Sequence, residues 1–468
     1  RWMKELGQKA VIVSLEWSRI EPNPKQYDQA AIDHYREVFK QLRAQGIEPI
    51  VVLWDRTLPS WVSAYTGLEV PGVILDFSDF AGQAAKQFGD LVDVWVPVRD
   101  PVGAASKAFK HGVNPPGKTD VAAFSKAVIS LLAMHRGARE ALMANDTTAA
   151  GGKKACEVGL IASMRCIRPN RAEHPMDQTL AKTSEHFSRA FVDAIMKGDL
   201  TVSSAPTDSG KGKGGFGKMP VYTPAAPPSY DKRLADFLAI QYEGLEELKF
   251  NPLFPLFTQK IIPPGAVRDG AGQISFAEGL TQLLASLKKY PVPMMVIVSA
   301  FDAKGFDRVA HLREHAAATL KAIGNGCAVK GLFYDSLLSG FEYEYGYSLH
   351  KGLLRVNRQV QERKPTMVAK AFARLAKGAA LHAPTDEDAA DSDTPAAPGG
   401  ADQPPVPAQP GESAGADPSA QPPASSDSAE QPSLPAQPGE SVGADPSAGP
   451  GLVPGGADQP PRPATTAD

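Results

Sequence analysis

The stretch Val92-Asp93-Val94-Trp95-Val96-Pro97-Val98-Arg99-Asp100-Pro101 decides how this chain folds. Its apolar residues alternate up to Val98 and predict a buried β-strand, which then runs directly into a charged pair and a proline. Two further apolar runs end in the same way, since residues 49–54 lead into Asp55-Arg56 and residues 331–334 lead into Asp335. Charged side chains at the carboxyl ends of several strands are typical of the functional face of an α/β protein.

Strand and helix patterns alternate along the first 380 residues. The predicted strands lie at residues 10–17, 47–54, 92–98, 158–163, 236–242, 294–299 and 329–334. Amphipathic patterns between them predict helices at residues 29–45, 77–88, 120–144, 177–197, 276–289 and 308–323. Strands separated by helices indicate βαβ units and a parallel sheet. Seven strands are one short of a closed (β/α)8 barrel, and an open parallel sheet explains the same periodicity.

The residues from 381 onward have a different composition. Pro, Ala, Ser, Gly and Asp dominate there, with Arg462 as the single Lys or Arg and no aromatic residue. The segment PAQPGESAGADPSA that begins at Pro407 recurs as PAQPGESVGADPSA from Pro435. Such a composition cannot bury enough apolar surface to offset the entropy of ordering. We therefore predict a globular domain over residues 1–380 and a disordered, repetitive tail over residues 381–468.

Composition and motifs exclude several functions. A net charge of -3 argues against a general nucleic-acid binder. The Lys/Gly segment at residues 210–215 lacks the Ser or Thr of a phosphate loop, which favours a mobile loop. Three scattered cysteines predict neither a disulfide framework nor a zinc site, and no cofactor or metal is expected. The absence of a span-length apolar run favours a soluble protein, with the cytoplasm as the favoured compartment.

Several segments resemble family 1 glycoside hydrolases, the β-glucosidase and β-glycosidase barrels. These segments are residues 14–22 (SLEWSRIEP), 33–36 (DHYR), 46–49 (GIEP), 88–92 (FGDLV) and 336–343 (SLLSGFEY). They follow one another in the order of the family between Arg1 and about residue 376, and the resemblance implies an α/β fold of the (β/α)8 TIM barrel type. It begins after the first strand of the family, so we expect either a fragment or a barrel without that strand.

The resemblance also implies the positions of two catalytic carboxylates. These enzymes are retaining glycosidases, with an acid/base glutamate after the fourth strand and a nucleophilic glutamate after the seventh. Here Asp100 resembles the acid/base position, whereas Val298 occupies the nucleophile position and cannot form a glycosyl-enzyme. A shift of one residue would place Ser299 there instead. The arginine that pairs with the nucleophile in the family corresponds to Ile12, and replacing both partners by apolar groups is often neutral for stability.

Most sugar-binding positions implied by the resemblance carry changed residues. Glu342 resembles the ligand of the sugar 4- and 6-hydroxyls and is kept. The other implied substrate-binding residues are Asp55, Arg56, Arg99, Gln241, Tyr242, Asp335 and Tyr343. The implied ligand is a β-linked saccharide or another small polar molecule.

The charges expected at the mouth of the barrel allow two interpretations. Acids and arginines could pair and fill a vacated sugar pocket, which would leave a non-catalytic binding module or scaffold. Alternatively, the chain is an active β-glycosidase with an altered mechanism or substrate that uses Asp100 as acid/base with Asp55 or Asp335. We expect the neighbouring arginines to lower the pKa of Asp100, which would weaken this carboxyl as a proton donor.

Overall fold

A computed structural model describes residues 1–65, 67–152, 154–197, 233–253 and 258–378. The chain divides into two units, Arg1–Thr394 and Pro395–Asp468, and all described residues belong to the first. The predicted mobile loop at residues 210–215 and the predicted tail lie outside the described residues.

The described chain contains ten strands. They are β1 (Ala10–Ser14), β2 (Glu48–Trp54), β3 (Val94–Val98), β4 (Glu157–Pro169), β5 (Phe237–Phe250), β6 (Thr258–Ile261), β7 (Met294–Ser299), β8 (Val329–Asp335), β9 (Leu354–Asn357) and β10 (Glu362–Pro365). Seven of them form one curled parallel sheet in the order β1-β2-β3-β4-β5-β7-β8, and β6 pairs antiparallel with β5. This order confirms the predicted parallel sheet of a (β/α)8 barrel, and β9 and β10 form a separate antiparallel hairpin.

Helices cover the outer face of the sheet. They are α1 (Trp2–Glu5), α2 (Trp17–Ile20), α3 (Gln29–Ala44), α4 (Ser60–Tyr65), α5 (Gly72–Phe88), α6 (Pro101–Ala105), α7 (Val121–Asn145), α8 (Pro175–Lys197), α9 (Ala277–Leu287), α10 (Arg308–Gly324) and α11 (Met367–Ala376). Asp28, Asp120, Asp307 and Thr366 cap the amino ends of α3, α7, α10 and α11 with side-chain hydrogen bonds. These caps satisfy amide groups that the first turn leaves free.

The curled sheet is open on one side. Within the described residues, β1 pairs only with β2 and β8 pairs only with β7. The side chains of β1 are all half-buried, whereas those of β2 are almost entirely buried. The position between β8 and β1, where the first strand of a closed barrel lies, is therefore not filled by any described strand.

Two apolar clusters show to which face of the sheet the apolar side chains of its strands point. The interior of the curl holds a small cluster drawn from strands alone: Ile50, Val52, Val96, Ile161, Phe237, Ala239 and Ile297, with Ala10, Ile12, Met295 and Phe333 against it. A larger cluster between strands and helices contains the alternate residues, such as Val51, Leu160 and Leu238. Because successive side chains of a strand point to opposite faces, the interior cluster identifies which later residues point into the mouth.

Three of the predicted strands end several residues away from the expected position. The first strand ends at Ser14, and Trp17 begins a short helix because its ring packs on the α5 rings of Phe77 and Phe80, at 5.4 and 5.3 Å between centroids. The strands β4 and β5 are also longer than expected, at 13 and 14 residues. Their outer halves pair with each other beyond the barrel, and β6 covers the free edge of β5.

Candidate active site at the barrel mouth

The mouth is built from the residues that follow the interior cluster by two positions. Alternation from Ile12, Ile161, Ala239, Ile297 and Phe333 brings one inward-pointing side chain from each of five sheet strands to the same level. These side chains are Ser14, Ser163, Gln241, Ser299 and Asp335. Asp55, Arg56, Arg99 and Asp100 join them directly after β2 and β3. The sequence prediction that these charges converge in one mouth agrees with this placement.

Arg99 lies across the centre of the mouth and pairs with three strands. Its guanidinium donates from Nη2 to Gln241 Oε1 at 2.9 Å and to Asp335 Oδ2 at 3.2 Å, and its Nη1 lies 3.5 Å from Asp55 Oδ2. Gln241 also donates to Asp335 Oδ2 at 3.2 Å, and the Ser14 hydroxyl donates to Asp55 Oδ2 at 3.0 Å. The Arg99 side chain is only 18% exposed. The space at the centre is thus occupied by a paired guanidinium.

Asp100 is buried at the start of α6, in a left-handed backbone conformation with φ 45°. Its Oδ1 accepts from the Ser163 amide at 3.3 Å, and its Oδ2 lies 3.9 Å from Arg56 Nη2. The carboxylate folds back over Gly103, where an added Cβ would overlap it. A glycine is therefore required at residue 103 for this placement of the carboxylate.

The pKa of Asp100 differs from the expectation. Burial, together with the neighbouring Glu243 carboxylate, raises the pKa of Asp100 to about 6, although Arg56 and Lys107 oppose the change. Arg56 does lower this pKa, as predicted for a neighbouring arginine, but the predicted net decrease is wrong, because one guanidinium at 3.9 Å does not offset burial beside a second acid. Asp100 can consequently carry a proton near neutral pH.

A second charged cluster extends the mouth along the long strands β4 and β5. Arg165 donates to Glu243 Oε2 at 2.5 Å and to Glu246 Oε2 at 2.8 Å. Burial favours neutral Glu243, but Arg165 and Lys107 outweigh burial and hold its pKa below the ordinary value. Sequence reasoning missed this cluster. The alternation of the strands could have predicted it, because Arg165 and Glu243 each follow an interior residue, Ile161 or Ala239, by four positions and therefore point to the same face.

The loop after β8 forms the rim of the mouth. Tyr343 is exposed there, with the Arg56 guanidinium 5.3 Å from its ring centroid. Glu342 is half-buried, and burial raises its pKa although Lys351 opposes this. Glu344 accepts from Lys107 Nζ at 2.9 Å, across the mouth. The rim therefore keeps Glu342 and Tyr343 near the central cluster.

Val298 and Ser299 point in opposite directions. Val298 is fully buried in the cluster between strands and helices, with Val296 and Ala300, whereas Ile297 belongs to the interior cluster. The residue of β7 that points into the mouth is therefore Ser299, and the predicted placement of Val298 at the mouth is wrong. A shift of one residue in the alignment moves a side chain to the other face of the strand, and motif matching does not distinguish the two alignments.

Tyr242 does not reach the mouth either. Its hydroxyl donates to the Phe276 carbonyl at 2.7 Å, and its ring lies 5.7 Å from the His315 ring. Tyr242 follows the inward-pointing Gln241 by one residue, so its side chain points outward, and both of its partners belong to the helical layer outside the sheet. The predicted substrate-binding set is thus brought together at the mouth except for Tyr242.

Two further properties of the described residues concern metal ions and membranes. In residues 1–378 apart from the gaps, there is no group of three or more His, Cys, Asp or Glu side chains that could hold a metal ion. Among the described helices, none is long and apolar enough to cross a membrane.

Comparison with known proteins identifies the family. The sequence profile of glycosyl hydrolase family 1 matches residues 1–245 and 269–379. The chain is 25% identical to the beta-galactosidase of Pyrococcus woesei, covering 77% of this chain and 81% of that protein. It is 26% identical to beta-glucosidase 13 of Arabidopsis thaliana, covering 80% and 79%.

Solved structures agree in fold. The family 1 β-glucosidase from Thermotoga maritima superposes with a TM-score of 0.67 at 22% identity, over 80% of this chain and 84% of that one. The same enzyme in complex with glucoimidazole also gives a TM-score of 0.67, at 23% identity. The profile match, the curated relatives and the shared curled parallel sheet lead to one conclusion: this chain belongs to glycosyl hydrolase family 1.

Proposed function

We propose that this chain is a family 1 barrel that does not carry out retaining hydrolysis and instead binds a small polar ligand without cleaving it. One observation carries the proposal. The strand β7 (Met294–Ser299) has no carboxylate, and the side chain that it directs into the mouth is the hydroxyl of Ser299. Retaining hydrolysis requires a carboxylate at this strand to attack the anomeric carbon.

The pairing of Arg99 supports the same proposal. Three polar partners hold its guanidinium in the centre of the mouth, so a sugar ring at that place would have to displace it. Ile12, the implied counterpart of the arginine that pairs with the nucleophile in the family, lies in the interior layer beneath together with Ile297. Filling the interior with apolar groups and the mouth with paired charges favours stability over turnover.

The ligand that fits the remaining groups is a β-linked saccharide or another small polar molecule. Glu342 and Tyr343 stay at the rim, where a carboxylate and an aromatic ring suit sugar hydroxyls and an apolar sugar face. Residues 1–380 would form the binding barrel and residues 381–468 a spacer. Binding of glucose, galactose or cellobiose would raise the melting temperature of the protein, and Glu342→Gln would reduce that shift.

The test of the main proposal is hydrolysis of aryl β-glucosides and aryl β-galactosides by the full chain. We expect no turnover above that of Asp100→Asn, a variant of nearly the same shape that lacks the titrating carboxyl. Turnover that Asp100→Asn abolishes would overturn the proposal.

One observation favours a second candidate, an active glycosidase with an altered mechanism. A protonated Asp100 close to an ionised Glu243 is the arrangement of an acid and a base with separated pKa values. An inverting enzyme would use them on opposite sides of the bond, with carboxyls about 6.5–9.5 Å apart. Activity that falls on the alkaline side of about pH 6, disappears in Glu243→Gln and gives the inverted anomer would establish this candidate.

A further inference from the structure

An exposed basic surface lies at the end of the described chain. It is formed by the β9–β10 hairpin and the outer side of α11. Its exposed cationic side chains are Arg358, Arg363, Lys364, Lys370 and Lys377. Glu362 is the single acidic residue between Leu354 and Gly378. We refer to these five side chains as the basic surface.

Little of this charge is neutralised locally. Lys364 Nζ lies 3.2 Å from Glu362 Oε2, and the Arg358 guanidinium stacks on the Tyr347 ring at 3.7 Å from its centroid. Among the residues that the structure describes, no carboxylate lies within ion-pair distance of Lys370 or Lys377. The basic surface therefore presents several positive charges within a short stretch of chain, an arrangement that attracts an extended anion.

A matching anion follows in the same chain. Residues 379–394 contain no Lys or Arg, and they carry Asp386, Glu387, Asp388, Asp391 and Asp393. We call residues 386–393 the acidic segment. Its charges are spread over eight positions, which suits the spread of the cations along the hairpin and the helix.

We propose that the acidic segment binds back onto the basic surface of the same chain. The chain length permits this. The ten residues of α11 span about 15 Å, and the eight residues from Gly378 to Asp386 reach at most about 26–29 Å when extended. The acidic segment can therefore return along α11 as far as the hairpin. This proposal is independent of any activity at the mouth.

Chemical cross-linking of the full chain tests the proposal. A carbodiimide joins lysine amines to carboxylates that touch them, without a spacer. At about 10 mM salt, where the Debye length is about 30 Å, we expect cross-links from the acidic segment to Lys364, Lys370 and Lys377. At about 1 M salt, where the Debye length is about 3 Å, their yield should fall roughly fivefold. The exposed Lys86 and Lys126, on α5 and α7, serve as internal references and should stay unlinked.

Paired variants separate the specific surface from general attraction. Lys370→Gln with Lys377→Gln should reduce the cross-links at Lys364 and speed cleavage by a Glu-specific protease at Glu387 severalfold. Lys86→Gln with Lys126→Gln removes the same charge elsewhere and should change neither. Cross-links spread evenly over all lysines, cross-links that join two copies of the chain, or equal cleavage in both variants would overturn the proposal.

Discussion

The direction of the β7 side chains makes a sharp prediction about stability. Val298→Glu places a carboxylate in the layer between strands and helices, where residue 298 is 0% exposed and surrounded by apolar groups. Complete burial without a partner raises the pKa of an acid by about 3–5 units. The buried carboxyl takes up a proton once its pKa exceeds the ambient pH. At about 1.36 kcal/mol per unit above the ordinary Glu pKa of about 4.3, the loss at pH 7 is therefore limited to about 4 kcal/mol of the free energy of unfolding. Total stability is typically about 5–15 kcal/mol, so this variant should lose a large part of it.

Ser299→Glu is the matched comparison one residue away. Residue 299 is 7% exposed and points into the polar mouth, near the level of the Arg99 guanidinium. We expect its cost to remain below about 3 kcal/mol. Val298→Gln, which has the same shape as Val298→Glu without the charge, should lose less stability than Val298→Glu, and the difference should shrink at acid pH.

The assay is urea unfolding followed by tryptophan fluorescence, because Trp17, Trp54 and Trp95 are fully buried. The three variants are compared by midpoint at constant slope. A midpoint for Ser299→Glu below that of Val298→Glu would refute the assigned directions and return residue 298 to the mouth.

Three further predictions follow from the site and the core. Gly103→Ala should lose about 1–3 kcal/mol of the free energy of unfolding, measured in urea, because its Cβ would overlap the Asp100 carboxylate; a neutral effect would contradict the folded-back carboxylate. Burial, and next the adjacent His315, lower the pKa of His311 to about 3, below its unfolded value of about 6.5. The free energy of unfolding should then fall as the pH drops from about 6.5 towards 3. This decrease should be smaller in His311→Gln, and an equal decrease in the variant would contradict a neutral buried imidazole. Arg99→Met should lower the free energy of unfolding by roughly 2 kcal/mol, because it leaves carboxylates unpaired, with the partial exposure of the pair reducing the effect. Adding Asp335→Asn should recover part of this loss in a double-mutant cycle.

Much of the fold could be predicted from the sequence. The strand over residues 294–299 has the predicted bounds, because a continuous apolar run lies between the turn residues before it and a loop after it. The convergence of Asp55, Arg99 and Asp335 could also be predicted, since parallel strands end on the same side of a sheet.

The remaining features depend on packing that the sequence does not display. The face on which Val298 lies is set by its neighbours in the layer between strands and helices, and not by a motif. The outer halves of β4 and β5 carry charged residues whose pairing, as between Arg165 and Glu243, appears only once the strands are adjacent. The pKa of Asp100 depends on burial and on Glu243, which together outweigh the opposing Arg56 guanidinium.

The most direct test of the proposal that this chain lacks a retaining nucleophile is an attempt to trap a glycosyl-enzyme. The full chain is incubated with 2-deoxy-2-fluoro-β-glucosides and β-galactosides that carry a good leaving group, and its intact mass is then measured. Because no carboxylate of β7 can attack the anomeric carbon, we expect an unchanged mass, with Ser299→Glu as a comparison that supplies a carboxylate at the mouth. A mass increase of one fluorosugar on the unaltered chain, located by peptide mapping to a residue of the mouth, would contradict the loss of retaining chemistry.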